Sequence, residues 1–150
     1  MQQRWAQPGR LIWIGLRCEK YAPMHPVDVA EVTEAGVQGD RARPGKRAVT
    51  LIQAEHLPAI GAYLGREAIP PDILRRNLVV AALNLSALRG RRLRIGGAEV
   101  EITTLCAPCS RMEKALGPGG YSALRGHGGW CAQVMQPGRV KIGDPVTPCD

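Results

Sequence analysis

Glycine and proline set the first limit on what this chain can fold into. Eighteen glycines and twelve prolines interrupt its 150 residues. Glycine opens left-handed backbone conformations and proline removes an amide donor, so such dense punctuation favours short strands and tight turns over long helices. Phe is absent and aromatic residues are 4% of the chain, which leaves Leu, Ile, Val and Ala to fill the core. Hydrophobic residues at 45% and charged residues at 22% lie near globular averages and exclude global disorder. The length suits one domain, taken as 1–150 with a core at about 10–147.

The apolar pattern places the elements. Leu11-Ile12-Trp13-Ile14 reads as a strand, residues 27–32 as a second, and Ala48-Val49-Thr50-Leu51-Ile52 as a third. Leu57, Ile60 and Leu64 share one helical face. Pro58 is tolerable there only in the first turn, and Gly65 ends the helix. Ile69-Pro70-Pro71-Asp72 stops any continuation, and Leu78-Val79-Val80 is a strand. Leu93 and Ile95, then Gly96-Gly97, then Val100 and Ile102 form the clearest local signal, a β-hairpin with a primed two-residue turn. Ser110-Arg111-Met112-Glu113 has capping-box spacing and predicts a short helix that buries Met112 and Leu116. Residues 130–135 and 139–142 read as a second hairpin around Gln136-Pro137-Gly138. The pattern predicts seven or eight strands and two helices, with no regular alternation of strand and long helix. The expected fold is mainly β, an antiparallel β-barrel with a few short helices, because closure hides strand edges.

Function is narrowed mostly by exclusion. No run of eighteen apolar residues exists, so no membrane helix is expected, and the N-terminus lacks the apolar segment of a secretory signal. The expected location is the cytoplasm. The five cysteines, Cys18, Cys106, Cys109, Cys131 and Cys149, are an odd number and argue against a disulfide framework. Cys106-Ala107-Pro108-Cys109 is half of a zinc pattern whose other half is missing. There is no G-x-S-x-G elbow and no phosphate-binding P-loop. The net charge is +7, and with only Lys20, Lys46, Lys114 and Lys141 as lysines the excess is carried by arginine. Guanidinium forks match phosphate and carboxylate, so an anionic partner is expected. Nucleic acid ranks last, since Trp5, Trp13 and Trp130 are not clustered in sequence.

Among individual residues, Cys109 stands out. It follows Pro108 and precedes the helix expected from Ser110, where free amides and Arg111 favour a thiolate. The alternative is a small buried hydrophobe. Arg75-Arg76-Asn77 sits at a strand start, and strand alternation would turn only one of the arginines toward a site. Lys46-Arg47 could grip a phosphate or be solvated. Cys106 reads either as a resolving thiol for Cys109 or as a buried strand-end residue. Asp40 and Asp144, each after a glycine, read as acceptors for turn amides.

Taken in order, these pieces resemble the MOSC domain family, named for the C-terminal domain of molybdenum cofactor sulfurases. The matching elements are Gly39-Asp40, Arg47-Ala48-Val49-Thr50-Leu51, Arg75-Arg76-Asn77-Leu78, Leu88-Arg89-Gly90, Leu93-Arg94-Ile95-Gly96, Leu105-Cys106-Ala107-Pro108-Cys109-Ser110-Arg111-Met112-Glu113, Gly126-His127-Gly128-Gly129-Trp130 and Gly138-Arg139-Val140-Lys141-Ile142-Gly143-Asp144. The resemblance implies a β-barrel that binds molybdenum cofactor (molybdopterin) as an anionic small-molecule partner. It implies that Cys109 is the functional cysteine and the metal ligand. Arg76 and Asn77 would contact the cofactor, with Lys46, Arg47, Arg111 and His127 as further contacts. His127 stands in Arg125-Gly126-His127-Gly128-Gly129, where the family often carries a second arginine, so a titratable group replaces a permanent cation.

Two activities follow from the resemblance. One is molybdenum-dependent reduction of N-hydroxylated or N-oxide substrates. The other is a non-catalytic module that carries cofactor or a persulfide on the same cysteine. A separate electron donor or desulfurase protein is the expected partner. The chain has no room for a pyridoxal-phosphate desulfurase domain, so no pyridoxal phosphate is expected.

Overall fold

The computed structural model describes residues 4–20, 22–106 and 110–149. Eleven strands are seen among them: β1 (Gly9–Leu16), β2 (His25–Val27), β3 (Val29–Thr33), β4 (Gly36–Val37), β5 (Val49–Gln53), β6 (Leu78–Ala81), β7 (Arg92–Ile95), β8 (Ala98–Leu105), β9 (Trp130–Gln136), β10 (Gly138–Lys141) and β11 (Pro145–Cys149). Four helices accompany them: α1 (His56–Tyr63), α2 (Pro71–Leu74), α3 (Ser110–Leu116) and α4 (Gly120–Leu124). A 3₁₀ turn, Leu85–Leu88, is capped by Asn84, whose side chain accepts from the Ser86 amide.

Seven strands close a barrel in the order β11-β7-β8-β9-β5-β6-β1, and β1 returns to β11 through Gly9↔Val146 and Arg10↔Pro145. The short β2 adds to the side of β1. The barrel is as the sequence implies, but α2 and α4 are helices beyond the two expected, and the wall has one difference. β5 and β6 run parallel, with Leu51 opposite Leu78, so the barrel is mixed. The reason lies in the chain between them. α1 and α2 form a crossover that brings the chain back to the starting end, and such a crossover is what a parallel pair needs.

That crossover also explains two burial patterns. β7 alternates exposed and buried, with Leu93 and Ile95 inward. In β5 every residue is buried, because Val49 and Leu51 face the barrel interior while Ile52 faces the helices. Ile52 and Val79 of the wall pack with Leu57, Ile60, Leu74, Met112, Leu116 and Leu124 in a second core outside the barrel. Pro58 falls in the first turn of α1, where its missing amide costs nothing. Gly61 is required by close approach: a Cβ there would stand 1.9 Å from the Glu67 carbonyl oxygen. α1 does not continue through Ile69–Asp72, and Pro71 opens a new helix, α2, from the first helical position.

Two local expectations change. Residues 27–32 are split between β2, which pairs with β1, and β3, which pairs with β10 and β4. The second hairpin is not formed. β9 stays in the barrel wall, whereas β10 leaves it to pair with β3 through Val140↔Ala30. Pro137 offers no amide to continue a ladder, and Gly138 lies so close to the β7–β8 turn that a Cβ would stand 2.1 Å from the Gly97 carbonyl oxygen. The first hairpin forms as expected, with Ile95 opposite Ala98 and Gly96 at φ +55°. Among the described residues, no helix is long and apolar enough to cross a membrane.

Candidate functional site

The end of β1, the start of β6, the end of β8 and the start of β9 meet at one mouth of the barrel, as Ile14↔Leu78 and Leu105↔Trp130 show. Five arginines gather there. Arg17 follows β1, Arg41 lies in the loop after β4, Arg75 and Arg76 stand between α2 and β6, and Arg111 is on α3. With Leu74 and Met112 they line a cleft of about 260 Å³.

Each arginine whose contacts are defined is held by the fold. The Arg17 guanidinium donates through Nε to Asp40 Oδ1 at 3.1 Å and through Nη2 to Oδ2 at 2.9 Å, and the Arg17 amide donates to Oδ1 at 2.6 Å. Arg76 donates through Nε to the Gly128 carbonyl at 2.6 Å and through Nη1 to Leu74 at 3.1 Å. Arg75 donates to the carbonyls of Ala22 and Glu19. Arg75 is the C-cap of α2 in the left-handed region, φ 59°. Strand alternation therefore does not govern the pair, and both Arg75 and Arg76 face the cleft.

Asn77 works from beneath. It is wholly buried. Its Oδ1 accepts from the Thr50 amide at 3.1 Å, the Thr50 hydroxyl at 3.2 Å and Arg17 Nη2 at 3.5 Å. Its Nδ2 donates to Gly15 at 3.1 Å. The side chain thus binds β1 to β5 at the mouth and orients Arg17.

Electrostatics show what the cleft lacks. Burial lowers the Arg75 pKa first, and the neighbouring charges of Arg17, Arg111 and Arg41 lower it further against the opposing effect of Asp40. Positive charges that destabilise one another around a cleft are relieved by a bound anion.

The other described residues singled out in the sequence do not line this cleft. Lys46 and Arg47 are exposed; Lys46 lines a different cleft with Arg89, Glu101 and Thr103. Arg47 is near enough to favour a Cys131 thiolate. His127 packs against His56, ring centroids 5.2 Å apart, and stacks on Tyr63 at 5.7 Å. Its Nδ1 is buried without a partner. Burial and the His127 charge lower the His56 pKa. Cys109 lies outside the described residues. Cys106 has Cys131 as its partner, with the sulfurs 3.3 Å apart.

Glu113 departs from the capping box. Its carboxylate accepts from the Tyr121 amide at 2.9 Å and the Gly119 amide at 3.1 Å, which hold its pKa below the ordinary range. It joins α3 to α4. Asp144 accepts the Lys141 amide at 2.8 Å, as a turn residue should, while Asp40 holds Arg17. Sequence reasoning missed Arg17, Arg41 and Cys131. Gly39-Asp40 marked one end of the Arg17 pair, but no local signal marked the other.

A MOSC domain model matches residues 30–147. The comparison with curated proteins gave no match. Among solved structures, the YuaD protein from Bacillus subtilis is 18% identical with a TM-score of 0.82, covering 95% of this chain and 97% of that one. YiiM from Geobacillus stearothermophilus is 19% identical with a TM-score of 0.79, covering 95% and 76%. YiiM from Escherichia coli is 21% identical with a TM-score of 0.74, covering 94% and 70%. These likenesses show the same fold. With the family model spanning most of the closed barrel and its cationic mouth, the chain belongs to the MOSC domain family, whose members can bind molybdenum cofactor.

Proposed function

We propose that this protein binds molybdenum cofactor at the arginine cleft and reduces N-hydroxylated or N-oxide substrates. The observation that supports this most is the gathering of Arg17, Arg41, Arg75, Arg76 and Arg111 around one cleft. The donor set fits the group: guanidinium forks suit a phosphate-bearing pterin, and no carboxylate lines the cleft among the described residues. When bound, the cofactor supplies two-electron redox chemistry at its metal.

The chain's own residues do the rest. Arg75, Arg76, Arg41 and Arg111 neutralise and orient the phosphate. Asp40 and Asn77 hold the Arg17 guanidinium in a single direction. Leu74 and Met112 give the cleft an apolar wall, which strengthens these ion contacts by limiting water. Cys109, three residues beyond Cys106 and one before α3, would ligate the metal with a soft thiolate.

Reconstitution tests this reading. Protein incubated with isolated cofactor is expected to retain about one molybdenum per chain and to reduce an N-hydroxylated base with an artificial electron donor. Cys109→Ala is expected to lose more than about tenfold in activity while keeping the pterin. Wild-type protein that takes up no cofactor would overturn the proposal. Loaded protein that accepts a persulfide on Cys109 but reduces nothing would replace reduction with sulfur carriage.

A further inference from the structure

Cys106 and Cys131 lie within reach of the Arg76 charge, outside the machinery described so far. Cys106 follows β8, its amide donating to the Gly129 carbonyl at 2.8 Å. Cys131 is the second residue of β9, opposite Thr50. One side chain lies just past β8 and the other on the adjacent β9, and both are nearly covered, 7% and 6% exposed. Their sulfurs are 3.3 Å apart.

That separation discriminates between two uses of a buried sulfur pair. Two thiolates on a tetrahedral zinc, each about 2.3 Å from the metal, stand about 3.8 Å apart and need further ligands. Among the described residues no group of three His, Cys, Asp or Glu forms such a set. A disulfide requires an approach of about 1.3 Å to reach its bond length, within the reach of side-chain rotation on paired strands. The strands hold the partners in place, so little loop entropy remains to be lost on closure.

We propose that Cys106 and Cys131 form a redox-active dithiol that closes to an intramolecular disulfide when it meets a hydroperoxide. The surroundings favour Cys131 as the attacking sulfur. The hydrogen bond between the two sulfurs holds the Cys131 pKa down to about 6 against the opposing effect of burial, and Thr104, Arg47 and Arg76 add to the lowering. The Cys106 pKa is pushed up by the same contact and by burial. Thr104 also borders a cleft of about 350 Å³.

In the first step the Cys131 thiolate attacks one oxygen of the hydroperoxide and the O–O bond breaks. The departing alkoxide or hydroxide takes a proton from water, and Cys131 becomes a sulfenic acid. In the second step Cys106 gives up its proton and attacks the Cys131 sulfur. The S–O bond breaks and the hydroxyl leaves with that proton as water. The two thiols lose two electrons in total, and the hydroperoxide is reduced to an alcohol or water, with water as the second product.

Peptide mass spectrometry on the whole reduced protein tests the proposal. After one equivalent of hydrogen peroxide, alkylation and digestion, the expected product is a peptide pair joined through Cys106 and Cys131. It should be lighter by about 2 Da than its two reduced peptides and separate again with dithiothreitol. Both cysteines remaining fully alkylated, or Cys106 joined to Cys109, would overturn the proposal. In Cys106→Ser a dione reagent is expected to trap a sulfenic acid on Cys131, at least about tenfold more than on Cys106 in Cys131→Ser. The reverse ratio would overturn the assignment of Cys131 as attacker.

Discussion

Inside the barrel, Leu11, Ile14, Leu51, Leu93 and Ile102 are wholly buried and pack in one apolar cluster. At one mouth of the same barrel, five arginines crowd a cleft, where burial first and then the charges of Arg17, Arg111 and Arg41 lower the Arg75 pKa. The interior is assembled so that each contact supports the next. The mouth is assembled so that its charges oppose one another until something anionic arrives. The difference separates what holds the molecule together from what the molecule is built to hold.

The contrast can be broken most forcefully from the inside. Leu51→Ala is expected to cost about 3–5 kcal/mol in urea unfolding, because the closed wall around it cannot collapse onto the gap. Asn77→Ala stands between the two regions. It removes four hydrogen bonds at a buried position and is expected to cost about 2–4 kcal/mol. It should also weaken anion binding by freeing Arg17. A variant that loses stability and keeps full affinity would detach Asn77 from the site.

Acid probes the outer helices. The lowered Glu113 pKa means that its contribution is present above the ordinary glutamate pKa and is lost as pH falls through the lower folded value. Exchange of the Tyr121 and Gly119 amides should accelerate in that range, and Glu113→Gln should exchange faster already at neutral pH. The dithiol responds in the other direction. With Cys131 at about 6, set by Cys106, Thr104, Arg47 and Arg76, its reaction with peroxide should speed up roughly tenfold between about pH 5 and 7. A flat profile would place the reactive sulfur elsewhere.

The smallest expected effect on stability sharpens the comparison furthest. Arg41 is exposed and lines the cleft. Arg41→Gln should leave unfolding within about 0.5 kcal/mol of wild type, yet lower affinity for a phosphomonoester severalfold. A large loss of stability would make the cleft part of the scaffold.

What the sequence made legible follows the range of each interaction. Gly96-Gly97 between alternating apolar residues determines its hairpin locally, and Pro58 and Gly65 locate α1 by rules that act within one turn. The failed hairpin at Gln136-Pro137-Gly138 had similar local marks. Its strands separated because Val140 finds Ala30, distant in sequence, and because Gly138 lies against Gly97. The parallel β5–β6 pair was hidden for the same reason, since strand direction depends on the path of the crossover. At the site, Arg76, Asn77 and Arg111 lay in recognisable motifs. Arg17 and Cys131 did not, because each acquires its meaning from a partner more than twenty residues away: Asp40 for one and Cys106 for the other.

The central claim is that the crowded arginines form the receptor for an anionic cofactor. Thermal unfolding of wild type and of Arg75→Glu/Arg111→Glu, each with and without molybdenum cofactor, tests it most directly. At about a hundredfold excess over the Kd, the wild-type midpoint should rise by about 5 °C or more, and the double variant should not respond. Equal shifts in both proteins, or none in wild type, would contradict the claim.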